Sequence, residues 1–412
     1  MELKNLKKVL IISSGQPSLN PRLVKEADVL SDAGHDVTVL YAYWNEWGTL
    51  HDKQLFSEKK WNAICIGGSP GQNSLTWFLS RVIHKTARYI LEKTGIFNYL
   101  ADIAIARSSF FLIRAAKKYK ADIYIAHNLG ALTATVKAAR RYKKPCGFDA
   151  EDFHRHEISD DINSFHFKLC KFLEDKYLPF VNYLTASSPL IAENYAQLYK
   201  RKVTSILNVF PKLAFDINII NNKNGPINLF WFSQTIGPKR GLEMVIKAMG
   251  LTTFVCELHL LGSSDEGYER QLLELAQMSG VQNERIHFYA PVNANEIFIL
   301  AAQFDIGLAP EMGFSLNNKI ALGNKVFTYL QSGLAVIASN IPSHSAFLAQ
   351  YSETGKTFSD VNDLAAILTA YNEDRELLYQ TKKNAFTIGQ TQLNWEKESK
   401  KFLKVINDTL TS

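Results

Sequence analysis

The stretch FDIGLAPEMGFSLNNKIALGNKVFTYLQSGLAVIAS, residues 304–339, restricts the fold more than any other part of the chain. Its apolar periodicity predicts a short buried strand at Asp305–Pro310 and a polar loop at Glu311–Gly323, then an amphipathic helix from Asn324 to Ser332. Gly333 and a second buried strand, Ala335–Ala338, follow. This is the order of a parallel βαβ unit. A loop that leaves the carboxyl end of a parallel strand and enters a helix gathers polar side chains and unpaired N–H groups at one point, where open α/β sheets hold phosphorylated ligands.

The same rhythm runs through both halves of the chain. Val9–Ser13 reads as a strand, Ser14–Pro21 as a polar loop, Arg22–Ala33 as a helix stopped by Gly34, and Asp36–Tyr41 as the next strand. The first loop carries Gly15, Asn20 and Arg22 towards any ligand of this half, and it lacks the GxGxxG fingerprint, which argues against a nicotinamide or flavin enzyme. Further on, Asp122–Ala126 is a strand ending at His127-Asn128, Gly130–Tyr142 a helix, and Cys146–Asp149 a strand. The acidic run Asp149–Glu157, a helix at Asp160–Tyr177 and strands near Tyr183 and at Val203–Val209 complete the half. After the polar NIINNKNGP, residues 218–226, the pattern restarts with strands at Ile227–Ser233, Glu257–Leu261 and Ile286–Tyr289 and helices at Leu242–Met249 and Tyr268–Met278. The expected fold is α/β, two Rossmann-like domains with parallel sheets facing across a cleft. The expected boundaries are 1–215 for the first domain, 216–226 for the linker, 227–390 for the second domain, which holds the nucleotide-site candidate, and 391–412 for a final helix.

A chain of 412 residues exceeds one ordinary core, in keeping with two domains. The net charge of +6, from 46 basic and 40 acidic residues, comes without a basic reader element, so nucleic acid is not an expected partner. Cys65, Cys146, Cys170 and Cys256 lie far apart with no metal-ligand spacing, which points to free thiols in a reducing compartment. The basic start MELKN is followed by an apolar run that reads as a strand rather than a leader, and no stretch is long enough to span a bilayer. A cytoplasmic location is expected.

Several residues invite chemistry. His127 ends a strand in the row that lines the crevice of a doubly wound sheet, where a histidine is either a structural hydrogen-bonder or a catalyst. Lys239 and Arg240 precede a helix start and suit a diphosphate, or form a solvated basic turn. Ser187 and Ser188 lack the glycines of a nucleophile elbow and read as an N-cap or a ligand contact. A zinc site from His127, His154 and His156 matches no spacing motif, so no metal is expected. Residues 73–120 interleave Trp77, Phe78, Val82, Tyr89 and Ile90 with Arg81, Lys85, Arg88 and Lys93, as in a basic amphipathic surface resting on a membrane or in ordinary core-facing helices with a solvated basic side.

The run GNKVFTYLQSGLAVIAS resembles the donor segment of family-4-type glycosyltransferases of the two-Rossmann, GT-B architecture, through Asn324, Lys325, Phe327, Tyr329, Gly333 and Val336. Gly323 replaces the usual proline and Thr328 the acidic residue that holds the nucleotide ribose in that family. DIYIAHNLGALTATVKAARRYKKPCGFDAED and FSQTIGPKRGLEMVIKAM are also similar to family segments, with Asn128, Glu151 and Ser233 as departures. The resemblance implies a retaining, metal-independent glycosyltransferase that uses a nucleoside diphosphate sugar as co-substrate and no cofactor. The acceptor would be a glycan or a lipid-linked hydroxyl, in surface polysaccharide or glycolipid assembly, with contact to the inner face of a membrane. It implies residues 1–215 as the acceptor-side domain, 227–390 as the donor nucleotide-sugar domain, a final helix 391–412 packing back on the first domain, where Trp395 suits docking or a place in a core, and His127 and Glu311 as catalytic residues. Ser233, Lys239, Arg240, Gly262, Ser315, Leu316, Asn317, Asn324, Lys325 and Thr328 would bind the donor, and Gly15, Asn20, Arg22 and Glu151 would lie on the acceptor side. A non-catalytic glycan- or nucleotide-sugar-binding subunit and a sugar-nucleotide epimerase of the same architecture remain the alternatives.

Overall fold

The computed structural model describes residues 6–215, 217–264 and 266–411. The basic start of the chain and Asp216, where the expected linker opens, lie outside the described residues. The chain divides into two compact units. One extends to Leu207 and includes Ser315–Asn317 and the C-terminal stretch from Ser399; the other holds Asn208–Phe314 and Asn318–Glu398.

In the first unit the strands are β1 (Lys8–Ser13), β2 (Asp36–Ala42), β3 (Asn62–Ile66), β4 (Ile123–His127), β5 (Cys146–Ala150), β6 (Tyr183–Ala186) and β7 (Thr204–Ser205). Every pairing between them is parallel, in the order β3-β2-β1-β4-β5-β6-β7. The order reverses between β1 and β4, and Ser13 pairs in register with His127 at the carboxyl ends. That is the switch point at which doubly wound sheets bind ligands. β1 and β4 are buried on both faces because helices cover each side, which is why they read as continuous apolar runs.

The second unit holds β8 (Ile227–Thr235), β9 (Cys256–Ser263), β10 (Ile286–Tyr289), β11 (Ile306–Ala309), β12 (Ala335–Ser339) and β13 (Gly355–Phe358). They too pair in parallel, in the order β10-β9-β8-β11-β12-β13, with the reversal between β8 and β11. Trp231, Leu258, Leu308, Ile337 and Leu368 belong to one buried apolar cluster. The segment 218–226, which composition marks as a linker, is fastened to this unit. Lys382 Nζ reaches the Ile220 carbonyl at 3.1 Å and Asp305 at 2.9 Å, and Arg375 donates to the carbonyls of Asn222 and Gly225.

Several local expectations change. β3, β13 and the helices Glu46–Ser57, Pro342–Gln350 and Leu316–Ile320 are additional elements. The helix expected from Asp160 begins at Phe165, because Asp161 forms a local turn with Asn163 and Ser164 caps the helix by accepting from the Phe167 N–H. The strand expected at Val203–Val209 is only Thr204–Ser205. Ser188 is an N-cap, accepting from the Ile191 N–H. The four cysteines are free thiols. No described helix is long and apolar enough to cross a membrane.

Candidate functional site

In the second unit, the loops after β8 and β11 meet at the switch point. Gly241 has φ 80°, and a Cβ there would stand 2.0 Å from the Pro310 carbonyl oxygen, so only glycine lets the two loops touch. The contact holds Lys239 and Arg240 on an exposed turn, with Lys239 itself at φ 63°. Neither cation pairs with an acid among the described residues. Gly262 allows another close approach, since a Cβ there would meet the Ser233 carbonyl oxygen at 2.4 Å. A groove of about 490 Å³ runs beside the turn, lined by Lys239, Glu243, Met244, Lys247, Met312 and Phe314.

Beyond β11 the loop folds back and brings Glu311 to the helix Asn324–Ser332. Lys325 Nζ lies 2.8 Å from Glu311 Oε1 and 5.5 Å from the centre of the Trp231 ring. Burial alone would raise the pKa of Glu311, but the charges of Lys325 and His344 outweigh it and hold the carboxyl below its usual range. Its second oxygen, Oε2, is buried with no hydrogen-bond partner among the described residues. Ser339 supports the loop by donating to the Glu311 carbonyl at 2.6 Å. The N-cap of the helix is Gly323, and among the described residues no side chain caps its first N–H groups. Asn324 accepts from the Asn208 amide at 3.0 Å. Thr328 is buried and its hydroxyl turns to the Asn324 carbonyl at 3.2 Å, within its own helix.

Ser315, Leu316 and Asn317, expected to bind the donor, belong to the first unit. Asn317 accepts from the Phe153 N–H at 2.7 Å and donates to Asp152 at 2.8 Å. Leu316 N donates to Asp160 and Ser315 Oγ to the Glu157 carbonyl. With these bonds made, the Ser315 and Asn317 side chains are buried.

In the first unit, His127 is completely buried, and each ring nitrogen faces a carboxylate: Nε2 is 3.0 Å from Glu26 and Nδ1 is 3.1 Å from Glu151. Asp149 stands 3.7 Å from the ring and is gripped by Arg22, whose Nε and Nη2 donate at 2.5 and 2.7 Å. Burial would lower the pKa of His127, yet Glu26, Glu151 and Asp149 raise it to about 10, so the ring is an imidazolium at neutral pH. Burial likewise opposes ionisation of Asp149, and the Arg22 guanidinium overcomes it. Glu26 is displaced upward by burial and by Asp149. Glu151 is the member of the group that reaches the surface, and Asn20 donates to it at 2.5 Å. Gly15 borders open space and Asn128, next to His127, is held at φ 67°, ψ 149°, a strained conformation of the kind found at functional sites.

The zinc set of His127, His154 and His156 is not assembled. His154 pairs with Glu157 and His156 with Asp160, each at 3.0 Å, while His127 belongs to the Glu26 group. Glu26, His127 and Asp149 do approach one another closely enough for a metal, but the guanidinium of Arg22 already supplies the cation there. Glu26 is not among the residues expected from the sequence, although an Arg and a Glu four apart on one helix face are a signal of the buried pair.

No family model matches the chain, and no curated protein matches it in sequence. Solved structures do match. HepE of Anabaena, in complex with UDP, is 16% identical with a TM-score of 0.67, covering 98% of this chain and 100% of its own. Sucrose-phosphate synthase of Thermosynechococcus elongatus is 13% identical with a TM-score of 0.70, covering 98% and 99%. TarM of S. aureus, in a mutant form in complex with fondaparinux, α-GlcNAc-glycerol and UDP, is 10% identical with a TM-score of 0.68, covering 99% and 100%. The likeness runs through both units and gives the chain the two-Rossmann fold of the GT-B glycosyltransferases.

Proposed function

We propose that the chain is a glycosyltransferase that moves a sugar from a nucleoside diphosphate sugar to a hydroxyl of a glycan or lipid-linked acceptor. The observation that carries this reading is the meeting of the β8 and β11 loops at one switch point. There two cations without an acidic partner among the described residues, Lys239 and Arg240, are fixed by a glycine contact, while Lys325 stands in the first turn of a helix whose N-cap is Gly323. As the sugar–phosphate bond breaks, negative charge grows on the departing diphosphate. Donors already in place stabilise that charge more than they stabilise the bound substrate. Lys239, Arg240, Lys325 and the N–H groups of the Asn324 helix supply this stabilisation without a metal. Glu311, ionised and with one oxygen unpartnered among the described residues, would accept from sugar hydroxyls. In the first unit Glu151 would contact the acceptor, and His127 would act as a positioning residue that orients it. Retention of configuration follows from the resemblance, and the UDP bound in the matched structures makes uracil the first base to try.

Surface polysaccharide or glycolipid assembly at the cytoplasmic face of a membrane is part of the same reading, and the helix Ser74–Thr94 supports it. Its buried residues are Ser80, Ala87 and Leu91. At 100° per residue these lie on one line, and Leu75, Phe78, Val82 and Tyr89, all exposed, lie opposite them. The large apolar side chains thus face outward, against the expectation of an ordinary core-facing helix. Arg81, Lys85, Arg88 and Lys93 accompany them, which is the composition of a helix lying in an anionic interface.

A thermal-shift panel of UDP-, GDP- and dTDP-sugars tests donor binding, since a ligand held only by the folded state raises the melting temperature. Release of nucleoside diphosphate only on addition of acceptor separates transfer from a binding subunit or an epimerase. No shift with any member of the panel would overturn the reading.

A further inference from the structure

Glu257 and His259 stand two residues apart on one face of β9, and His287 of β10 is the register partner of His259. The two imidazoles stack, with centroids 4.5 Å apart and planes 8° from parallel. Glu257 Oε2 lies 2.9 Å from His287 Nε2 and 3.9 Å from His259 Nε2, and one donor atom from each residue lies within 4.8 Å of the other two. His259 is held from behind, its Nδ1 being 3.0 Å from the Tyr289 hydroxyl, as metal-binding histidines are oriented through their second nitrogen. Asn228 Oδ1, 3.2 Å from His259 Nε2, is the group an ion would have to displace. β10 is the edge strand, and the Glu257 and His287 side chains are 30% and 34% exposed, so the cluster opens to solvent.

Two imidazole nitrogens and one carboxylate oxygen suit zinc, nickel or copper rather than magnesium or calcium, which take oxygen ligands. Around a tetrahedral zinc ion, ligand atoms at ~2.0–2.1 Å stand about 3.4 Å apart. Binding therefore has to open the Glu257–His287 pair, close the distance from Glu257 to His259, and turn the His287 ring out of its stack, since an ion lies in the plane of each imidazole it joins; the part-exposed His287 and Glu257 side chains have room for this. We propose that Glu257, His259 and His287 form a binding site for one divalent transition-metal ion, which clamps edge strand β10 to β9. The site lies towards the amino ends of these strands, away from the loops assigned to the nucleotide, and it stands whether or not the transferase reading does.

The test uses the full chain, stripped of metal with a chelator. Zinc chloride is titrated by calorimetry, and cobalt(II) is added separately for its visible absorption. One zinc ion per chain, a rise in melting temperature and a cobalt spectrum of low coordination number are expected. His287→Gln, at an exposed edge where folding is not in question, and Glu257→Gln should each weaken zinc binding about tenfold or more. Absence of binding to the unmodified chain, or zinc binding of equal strength in both variants, overturns the proposal.

Discussion

Lys325 Nζ sits 2.8 Å from Glu311 Oε1, while the other oxygen of that carboxylate is buried with no hydrogen-bond partner among the described residues. Under the proposed function the ammonium would face the diphosphate and the second carboxylate oxygen would face a sugar hydroxyl. Lys325→Met should therefore abolish the melting-temperature rise given by UDP as well as by UDP-sugars. Glu311→Gln should keep the response to UDP and lose the extra response to the sugar. Removing one group that faces developing charge costs about 10²–10³ in kcat, and a similar loss is expected for Arg240→Ala. Equal responses of the Glu311 variant to UDP and UDP-sugar, alongside a larger sugar response in the unmodified chain, is the pattern to look for.

Gly241→Ala separates the loop contact from the charges it carries. The added Cβ would lie 2.0 Å from the Pro310 carbonyl oxygen at a φ of 80°, so the loops after β8 and β11 have to part. A loss of about 1–3 kcal/mol in stability is expected, with loss of nucleotide binding. Arg240→Ala, on the exposed turn, should change stability by less than about 0.5 kcal/mol. Equilibrium urea unfolding of the two variants distinguishes them, and an unperturbed Gly241→Ala protein would refute the contact.

What the sequence disclosed and what it withheld divide along physical lines. β4 and β12 are buried along their whole length and β1 beyond its first residue, and their apolar runs are visible without a structure. β3 alternates partly exposed residues at a sheet edge, and the helix Pro342–Gln350 has little amphipathic contrast, so neither has a strong period. Glu311 illustrates the limit for the site. Its nearness to Lys325, fourteen residues on, depends on the intervening loop, which no local pattern specifies. Ser315 and Asn317 are expected from the resemblance to bind the donor, and Asp152, Phe153 and Glu157, more than 150 residues earlier, hydrogen-bond to them. The burial of His127 among three carboxylates was equally invisible, because Glu26 and Asp149 reach it from separate elements.

That burial makes stability depend on pH. The folded pKa of His127 is raised to about 10, against about 6.5 in the unfolded chain. A group with a raised folded pKa contributes fully below its unfolded value and loses that contribution as pH climbs through the folded one. The urea midpoint should accordingly fall between about pH 6.5 and pH 10, and fall less steeply in His127→Gln. Asp149→Asn, which removes the carboxylate closest to the buried Arg22 guanidinium and leaves it Glu26 at 3.7 Å, should cost about 3–5 kcal/mol. Parallel pH profiles for the unmodified chain and His127→Gln would show that the imidazolium adds nothing.

The helix Ser74–Thr94 gives the last prediction. Leu75, Phe78, Val82 and Tyr89 face away from its buried line and are 71%, 58%, 43% and 62% exposed, and Ile96 and Tyr99 just beyond it are 66% and 69% exposed. An apolar stripe of this size flanked by Arg and Lys should bind vesicles containing anionic lipid, weaken as salt rises, and bind neutral vesicles poorly. Phe78→Glu with Val82→Glu places two carboxylates in the stripe without touching Ser80, Ala87 or Leu91. The pair should leave the melting temperature nearly unchanged and abolish flotation with anionic vesicles. It should slow transfer to a lipid-linked acceptor, yet spare transfer to a water-soluble analogue, because only the former has to be met at a surface. If the double variant floats as well as the parent, the outward stripe has some other partner and the membrane assignment falls, while the donor site is untouched.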